Sequence, residues 1–510
     1  MLFKLLLLIL IQSAEIYCKM NVLLIIADDL RPALGCYGDK KAYTPNIDNL
    51  AKNSYIFENA FVQQSICAPS RNSFLTSRRP DTTRLYDFYN YWREFSGNYT
   101  TLPQYFKENG YKTKSIGKVF HPGISSNFTD DELYSWTETP FHPMTEKFKE
   151  AKVCFSKKNP FVLHRNIVCP VVTRVQPGKT LPDIEIAQEA IKTLKQFQNQ
   201  SAPFFLAVGF HKPHIPLKYP YHYKKYHPLK KVALPKVRRK PKGLPDVAWN
   251  PWTDLRERDD IKSLNLSFPF EKIPDNEAKL IIQSYYAAVT YIDDLIGEVL
   301  KSLVRKNTIV VLLGDHGWSL GEHGEWSKFS NYEIALRVPF IIKVPAKKIY
   351  NNRIRHVVEL VDLFPTLVEL SGLKPILSCP LCSKEISTCT QGKSLVPLLK
   401  DSKGKDSYIA LSQYPRPGTH PTLHPNSDKP RLKDIHVMGY SLRTATFRYT
   451  EWALFDNFLP DWSKAIAAEL YDHFSDPHEN QNVVNDLNYT ETVKLLRDRL
   501  HNEINKYKFC

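Results

Sequence analysis

Two acids stand side by side at the end of an apolar run: Asn21-Val-Leu-Leu-Ile-Ile-Ala27 is followed by Asp28-Asp29. Adjacent carboxylates at a buried strand end repel one another and lose hydration, a cost that a cation relieves. Oxygen ligation suits a hard ion, calcium or magnesium. The plain alternative is an Asp pair that caps a helix. A second run, Thr308-Ile-Val-Val-Leu-Leu-Gly314, ends in Asp315-His316-Gly317, so two strands would bring their acids to one ion. Between the two lies Cys67-Ala-Pro-Ser-Arg71, followed by Asn72-Ser-Phe-Leu-Thr-Ser-Arg78. Taken alone, Cys67 is an ordinary disulfide partner or a buried thiol. Further along, Lys118 and His121 sit three apart in a Gly/Pro-bounded segment, His211 and His214 follow the apolar run Phe204–Phe210, and Lys328 follows the Asp315 strand. Ammonium and imidazole groups of this kind suit an anion clamp with proton-transfer partners. A single Lys or His is more often a surface residue; several at strand ends together make a site.

These groups need a scaffold that delivers strand ends to one edge. The short runs at Asn21–Ala27, Phe204–Gly209, Thr308–Leu313 and Pro339–Val344 are rich in branched residues and read as buried strands. Helical patterns at Thr180–Gln198, Asp275–Val304 and Val357–Ser371 alternate with them. That alternation predicts an α/β fold: a large mixed, mainly parallel sheet flanked by helices, with its chemistry at the carboxyl ends of strands. From about Asp406 the texture changes to Pro/His-rich loops and short aromatic pieces, Met438–Thr444 and Tyr449–Phe455. We expect a catalytic unit over 19–405 and a smaller C-terminal α+β unit over 406–510.

With 510 residues, 43% hydrophobic and 24% charged, the chain is neither a small disulfide-stapled module nor a disordered one. The formal charge of +16 predicts a polyanionic neighbour without choosing among nucleic acid, anionic membrane and sulfated polysaccharide. The first 18 residues read as a signal peptide: Lys4 precedes the short apolar stretch Leu5–Ile11, with Ser13 and Ala14 beyond it. That stretch is too short to cross a bilayer, for which about 20 apolar residues are needed. A secretory route moves the expected partner from nucleic acid to acidic glycan. Sequons at Asn98, Asn127, Asn199, Asn265 and Asn488 fit the same route. Nine cysteines in an oxidising compartment should mostly pair, and we expect Cys154 with Cys169 and Cys379 with Cys389. Cys379-Pro-Leu-Cys382 could also be half of a zinc knuckle, but no second close Cys/His pair completes it. The partners of Cys36, Cys382 and Cys510 are left unassigned, and Cys18 falls at the leader boundary. The stretch Lys212–Lys242 holds eleven Lys/Arg and no acid. It reads either as a solvated loop or as a polyanion-docking surface beside His211 and His214.

A Cys-x-Pro-Ser-Arg string with Leu-Thr and Arg downstream is the sequence by which sulfatases acquire formylglycine, and here the chain resembles the sulfatase branch of the alkaline-phosphatase-like superfamily. The resemblance implies that a formylglycine-generating enzyme oxidises Cys67 to an aldehyde, which hydrates to a geminal diol. One diol oxygen attacks sulfur and the other later expels sulfate. By the same resemblance, Asp28, Asp29, Cys67, Asp315 and His316 hold one calcium ion. Arg71, Lys118, His121, His214 and Lys328 handle sulfate, and Trp318 stands in the substrate pocket. The flanks His211-Lys-Pro-His-Ile-Pro216, Gly117-Lys-Val-Phe-His-Pro-Gly123 and Ser412-Gln-Tyr-Pro-Arg-Pro417 narrow the likeness. They point to sulfatases that remove the 2-sulfate from a terminal iduronate of heparan or dermatan sulfate. A monomer in the lysosome, or secreted, is implied. The competing readings are an arylsulfatase-like exo-sulfatase and an inactive glycosaminoglycan-binding homologue. Ser77 departs from the family, which has Gly after Leu-Thr. So do the short stretches between Val344 and Val357 and between Lys400 and Ser407, where the family is cut into two chains.

Overall fold

The computed structural model describes residues 19–155, 162–345, 352–401 and 408–506; the expected leader, Cys18, Cys510 and nearly all of the Lys400–Ser407 connection lie outside the described residues. The main sheet is built from β1 (Asn21–Asp28), β2 (Tyr55–Phe61), β3 (Lys112–Gly117), β4 (Phe204–Pro213), β5 (Thr308–Gly314), β6 (Arg337–Lys343) and β7 (Arg353–Glu359). Their spatial order is β7-β2-β6-β5-β1-β4-β3. All neighbours run parallel except β6, which is antiparallel to both β2 and β5. The helices that matter to the site and its cover are α1 (Cys67–Thr76), α2 (Pro182–Gln198), α3 (Asp275–Lys301), α4 (Leu363–Leu370) and α5 (Thr490–Asn505).

A central parallel strand has no solvent face, and β1 shows why its residues are apolar on both sides. Leu23, Ile25 and Ala27 enter one core with Ile186 and Ala190 of α2 and Ile281 and Val289 of α3. Val22, Leu24 and Ile26 enter the opposite core with Leu363 and Leu367 of α4. Each such side chain contributes about 1.5–3 kcal/mol on burial, so β1 is fixed in register and its carboxyl end is fixed in space. The strand stays regular against β5 as far as Ala27↔Gly314, while against β4 the register slips between Ala27 and Asp28. Asp29 then turns into the left-handed region at φ 63°. Backbone strain of this kind is held only where the surroundings over-determine it. Here the Tyr285 hydroxyl on α3 donates to the Asp29 carbonyl at 2.7 Å.

The helical pattern expected over Val357–Ser371 is corrected: β7 runs to Glu359 and the α-helix begins only at Leu363. Val357 and Val358 are β-branched and pair in parallel with Asn59 and Ala60 of β2. Three further strands, β2, β3 and β7, carry polar residues among apolar ones and were not expected. The C-terminal unit is an antiparallel meander, β8 (Ala410–Arg416), β9 (Val437–Arg443), β10 (Phe447–Asp456) and β11 (Leu459–Asp472), backed by α5. It is tied to the main body through Glu333, which accepts from Arg443 at 2.9 Å and Arg448 at 2.8 Å.

Cys154 is bonded to Cys169 and Cys379 to Cys389. All five sequon asparagines are exposed. Among the described residues no helix is long and apolar enough to cross a membrane. The basic stretch Lys212–Lys242 is not one free loop. It contains the end of β4, a short strand at Leu217–Pro220 and two 3-10 turns, and its Arg238 and Lys240 are paired with Asp275 and Asp246.

Candidate active site

The carboxyl ends of β1 and β5, the start of α1, and the segments after β3 and β4 meet at one edge of the sheet. Asp28 ends β1 and Asp29 follows it, Asp315 and His316 follow directly on β5, and Cys67 is the first residue of α1. Ligand atoms of Asp28, Asp29, Cys67 and His316 all lie within 4.8 Å of one another, and all four residues are buried. The Cys67 sulfur is 3.4 Å from Asp28 Oδ1 and 3.3 Å from His316 Nε2. His316 Nδ1 meets the Gly317 carbonyl at 3.0 Å. That contact assigns the proton to Nδ1 and leaves the Nε2 lone pair for a ligand. Burial lowers the His316 pKa, so the ring is neutral.

Three cations face these acids. The Lys118 ammonium donates to Asp28 Oδ2 at 2.6 Å. The Lys328 ammonium donates to Asp29 Oδ1 at 2.7 Å and to the Cys67 sulfur at 3.2 Å. Arg71, with no exposed surface, bridges two strands: its Nε donates to Asp315 Oδ2 at 2.9 Å and its Nη2 to Asp28 Oδ1 at 3.3 Å. Its remaining nitrogen holds the Lys118 and Val119 carbonyls. Burial opposes ionisation of Asp28, but Lys118, His214, Arg71 and Lys328 outweigh it and hold its pKa well below the usual carboxylate range. Burial raises Asp29 to about 7 against the pull of Lys328 and His316, with Asp28 and Cys67 adding to the rise. Burial and Asp28 also raise the Cys67 thiol, so an unmodified thiol here stays protonated and is a poor nucleophile.

The residues fit a hard cation. Two adjacent buried carboxylates, a third on the next strand and a neutral imidazole supply the donors, and Asp29 Oδ2 is buried with no hydrogen-bond partner. Asp315 is the most committed of them, because its Oδ1 already accepts the backbone N–H groups of Asp29 and His316.

The neighbouring backbone is shaped for close approach. A Cβ on Gly209 of β4 would stand 1.9 Å from the Lys118 carbonyl, so only glycine lets β4 and the Lys118 segment meet. Around Lys328, Ser327 and Phe329 both have positive φ, 67° and 51°. Asn250 and Arg416 hold that turn, donating to the Lys328 carbonyl at 2.7 Å and the Phe329 carbonyl at 2.7 Å. The C-terminal unit thus positions a lysine of the main unit.

Asp28, Lys118, His121 and His214 line a cavity of about 160 Å³ that opens from this edge. Burial first, and nearby lysines second, hold both histidines well below the usual imidazole range. His214 Nδ1 meets the Ile215 carbonyl at 2.6 Å, while His121 Nδ1 is buried without a partner. The rest of the wall includes Glu146, Lys149, Asp183, His211, Lys212 and Lys218. Of these, His211, Lys212 and Lys218 fall in segments the sequence marks for chemistry, Asp183 falls in an expected helix, and Glu146 and Lys149 fall in neither. Trp318 corrects the expectation of a pocket aromatic. It is 1% exposed, packs in the core of β1 and α3, and does not line the cavity; its ring lies 5.7 Å from the Lys328 ammonium. Of the basic stretch Lys212–Lys242, only Lys212, His214–Pro216 and Lys218 reach the cavity wall.

Comparison with known proteins agrees with this site. The sulfatase family model matches residues 20–373, and a model of the C-terminal part of N-sulphoglucosamine sulphohydrolase matches residues 321–506. The chain is 48% identical to iduronate 2-sulfatase of Mus musculus, over 94% of this chain and 93% of the relative. It is 47% identical to iduronate 2-sulfatase of Homo sapiens, with the same coverage. The solved phosphonate monoester hydrolase of Agrobacterium radiobacter shares the fold, with a TM-score of 0.67 and 18% identity over 95% of both chains. Sulfatases generally use a metal ion and formylglycine. The chain belongs to the sulfatase family, is a sulfuric ester hydrolase, and falls at this level of identity with the iduronate 2-sulfatases.

Proposed function

We propose that this chain removes the 2-sulfate from a terminal iduronate of heparan or dermatan sulfate, working in the lysosome after entry into the secretory pathway. The observation that carries the reading is the placement of Cys67, within its formylglycine string, between Asp28, His316 and Lys328 beside a cation-lined cavity. The names of the relatives at 47–48% identity supply the sugar.

Asp28, Asp29, Cys67 as formylglycine, Asp315 and His316 would hold one calcium ion, which when bound supplies Lewis-acid polarisation and balances the carboxylates. The hydrated aldehyde of residue 67 supplies the attacking hydroxyl. Lys118 and Lys328 keep their charge, because Asp28 and Asp29 outweigh the burial that would lower them. Each ammonium carries three protons, so after its contacts Lys118 has two and Lys328 has one left for a sulfate oxygen. His121, neutral and with an unpartnered ring nitrogen, accepts a proton from the reacting hydroxyl. His214 is fixed through Nδ1, so its Nε2 faces proton exchange with the leaving sugar oxygen. Arg71 does not reach the cavity; it holds Asp28 and Asp315 at their separation.

The test is turnover of a fluorogenic iduronide 2-sulfate beside an aryl sulfate and an aryl phosphate. Strong preference for the iduronide supports the reading. Preference for the aryl sulfate would favour an arylsulfatase, and no turnover of any ester would favour a glycosaminoglycan binder.

A further inference from the structure

A 2-sulfated terminal uronate carries two anions. Ring carbons 2 and 5 lie opposite each other, so the carboxylate projects away from the sulfate. A cavity that seats sulfate at Lys118 therefore needs a second cation for the carboxylate, and its volume of about 160 Å³ leaves room for little more than one sugar.

The charged groups of the wall narrow the choice. Lys212 is buried and its ammonium is spent on the His214 and Pro216 carbonyls. Lys218 donates to the Phe148 carbonyl at 3.0 Å and the Lys149 carbonyl at 3.3 Å. Glu146 faces His142 at 3.5 Å and His211 at 3.9 Å, and Asp183 accepts the His211 N–H at 2.6 Å. Lys149 lines the same cavity and makes no side-chain hydrogen bond or ion pair among the described residues. The adjacent acid, Glu150, is taken by both terminal nitrogens of Arg258, at 2.7 and 3.1 Å. Lys149 stands on the exposed part of the wall, where an incoming anion can reach it.

We infer that Lys149 is the residue that reads the substrate's carboxylate, held in place by the two bonds from Lys218 to its own backbone turn. The inference rests on the iduronate 2-sulfate reading above. It makes the enzyme selective for sulfated uronates over neutral sulfated sugars, and it assigns Lys218 a positioning part.

The experiment compares the fluorogenic iduronide 2-sulfate with its carboxamide, in which the carboxylate charge is gone. The wild type should prefer the carboxylate in kcat/KM. In Lys149→Met the ratio of the two kcat/KM values should fall about 10- to 100-fold, the span of one charge-assisted hydrogen bond. The loss should appear in KM for the carboxylate, and Lys149→Arg should restore most of it. Lys218→Met should lower the same ratio by a smaller factor. An unchanged ratio in Lys149→Met overturns the inference and leaves the function standing. Absence of wild-type turnover on both compounds overturns the function and the inference together.

Discussion

Arg71 is the residue whose removal tests the architecture most sharply. Its guanidinium joins two strand ends through Asp315 at 2.9 Å and Asp28 at 3.3 Å, and it satisfies two carbonyls of the Lys118 segment. Arg71→Ala leaves two buried carboxylates and two carbonyls without that partner. Each lost hydrogen bond to a charged group is worth about 1.5–3 kcal/mol, and breaking a buried ion pair by removing one partner costs about 3–5 kcal/mol. The two bonds to carboxylates together come to about 3–6 kcal/mol, which overlaps the ion-pair figure near 4 kcal/mol. With an unfolding entropy of roughly 2 cal/mol/K per residue, a chain of this size has about 1 kcal/mol/K, so the midpoint should drop by about 4 °C. Because Asp28 and Asp315 lose their spacing, calcium affinity and turnover should fall further than the stability loss implies. Lysine cannot reproduce the fork, so Arg71→Lys should recover only part of either. The assay is thermal unfolding with and without calcium, paired with turnover on the iduronide sulfate. Arg71→Ala with an unchanged midpoint and unchanged kcat would refute the reasoning.

Two more predictions follow from groups outside the cavity. Ser77 ends α1 at φ 52°, donates to the Val361 carbonyl at 2.7 Å and accepts from the Gly392 N–H at 3.1 Å, so its hydroxyl offsets the strain that a glycine would not feel. Ser77→Ala, which keeps the strain and loses both bonds, should destabilise by about 1–2 kcal/mol in thermal unfolding; no change would detach Ser77 from the packing of α1. Hydrogen bonds to Asp130 and Glu146, against burial, raise His142 to about 10. A raised pKa stabilises fully below the unfolded value near 6.5 and loses that contribution as pH climbs through about 10. His142→Gln should therefore lower the unfolding midpoint most in mild acid and converge with the wild type above pH 10; a deficit independent of pH would contradict the pairing.

The parts of the site legible in the sequence were those at the ends of uniformly apolar strands. Asp28, Asp29, Asp315 and His316 announce themselves because β1 and β5 are buried on both faces and then stop at acids. Cys67 was legible through its string, and Cys154–Cys169 and Cys379–Cys389 through their short separations. Of the strands that escaped notice, β3 and β7 are the two edges of the sheet, and β2 carries the part-exposed polar pair Glu58 and Asn59 at its middle; β7 also runs directly into a helix that shares its apolar composition. Lys149 was invisible for a different reason. It is one of 69 Lys and Arg residues, in an irregular segment with no periodicity, and only the fold places it in the cavity wall. Trp318 and the basic stretch show the converse. Position in a motif or a run of charge says what a residue is near along the chain, whereas packing decides whether it faces solvent, substrate or core.

The central claim is that Cys67 supplies the nucleophile only after conversion, since the buried thiol beside Asp28 stays protonated. Peptide mass spectrometry of the Cys67 segment, on active protein made with a competent formylglycine-generating enzyme, tests this directly. The predicted result is the aldehyde or its hydrate at position 67, with turnover in proportion to the converted fraction; an intact thiol in fully active enzyme would contradict it.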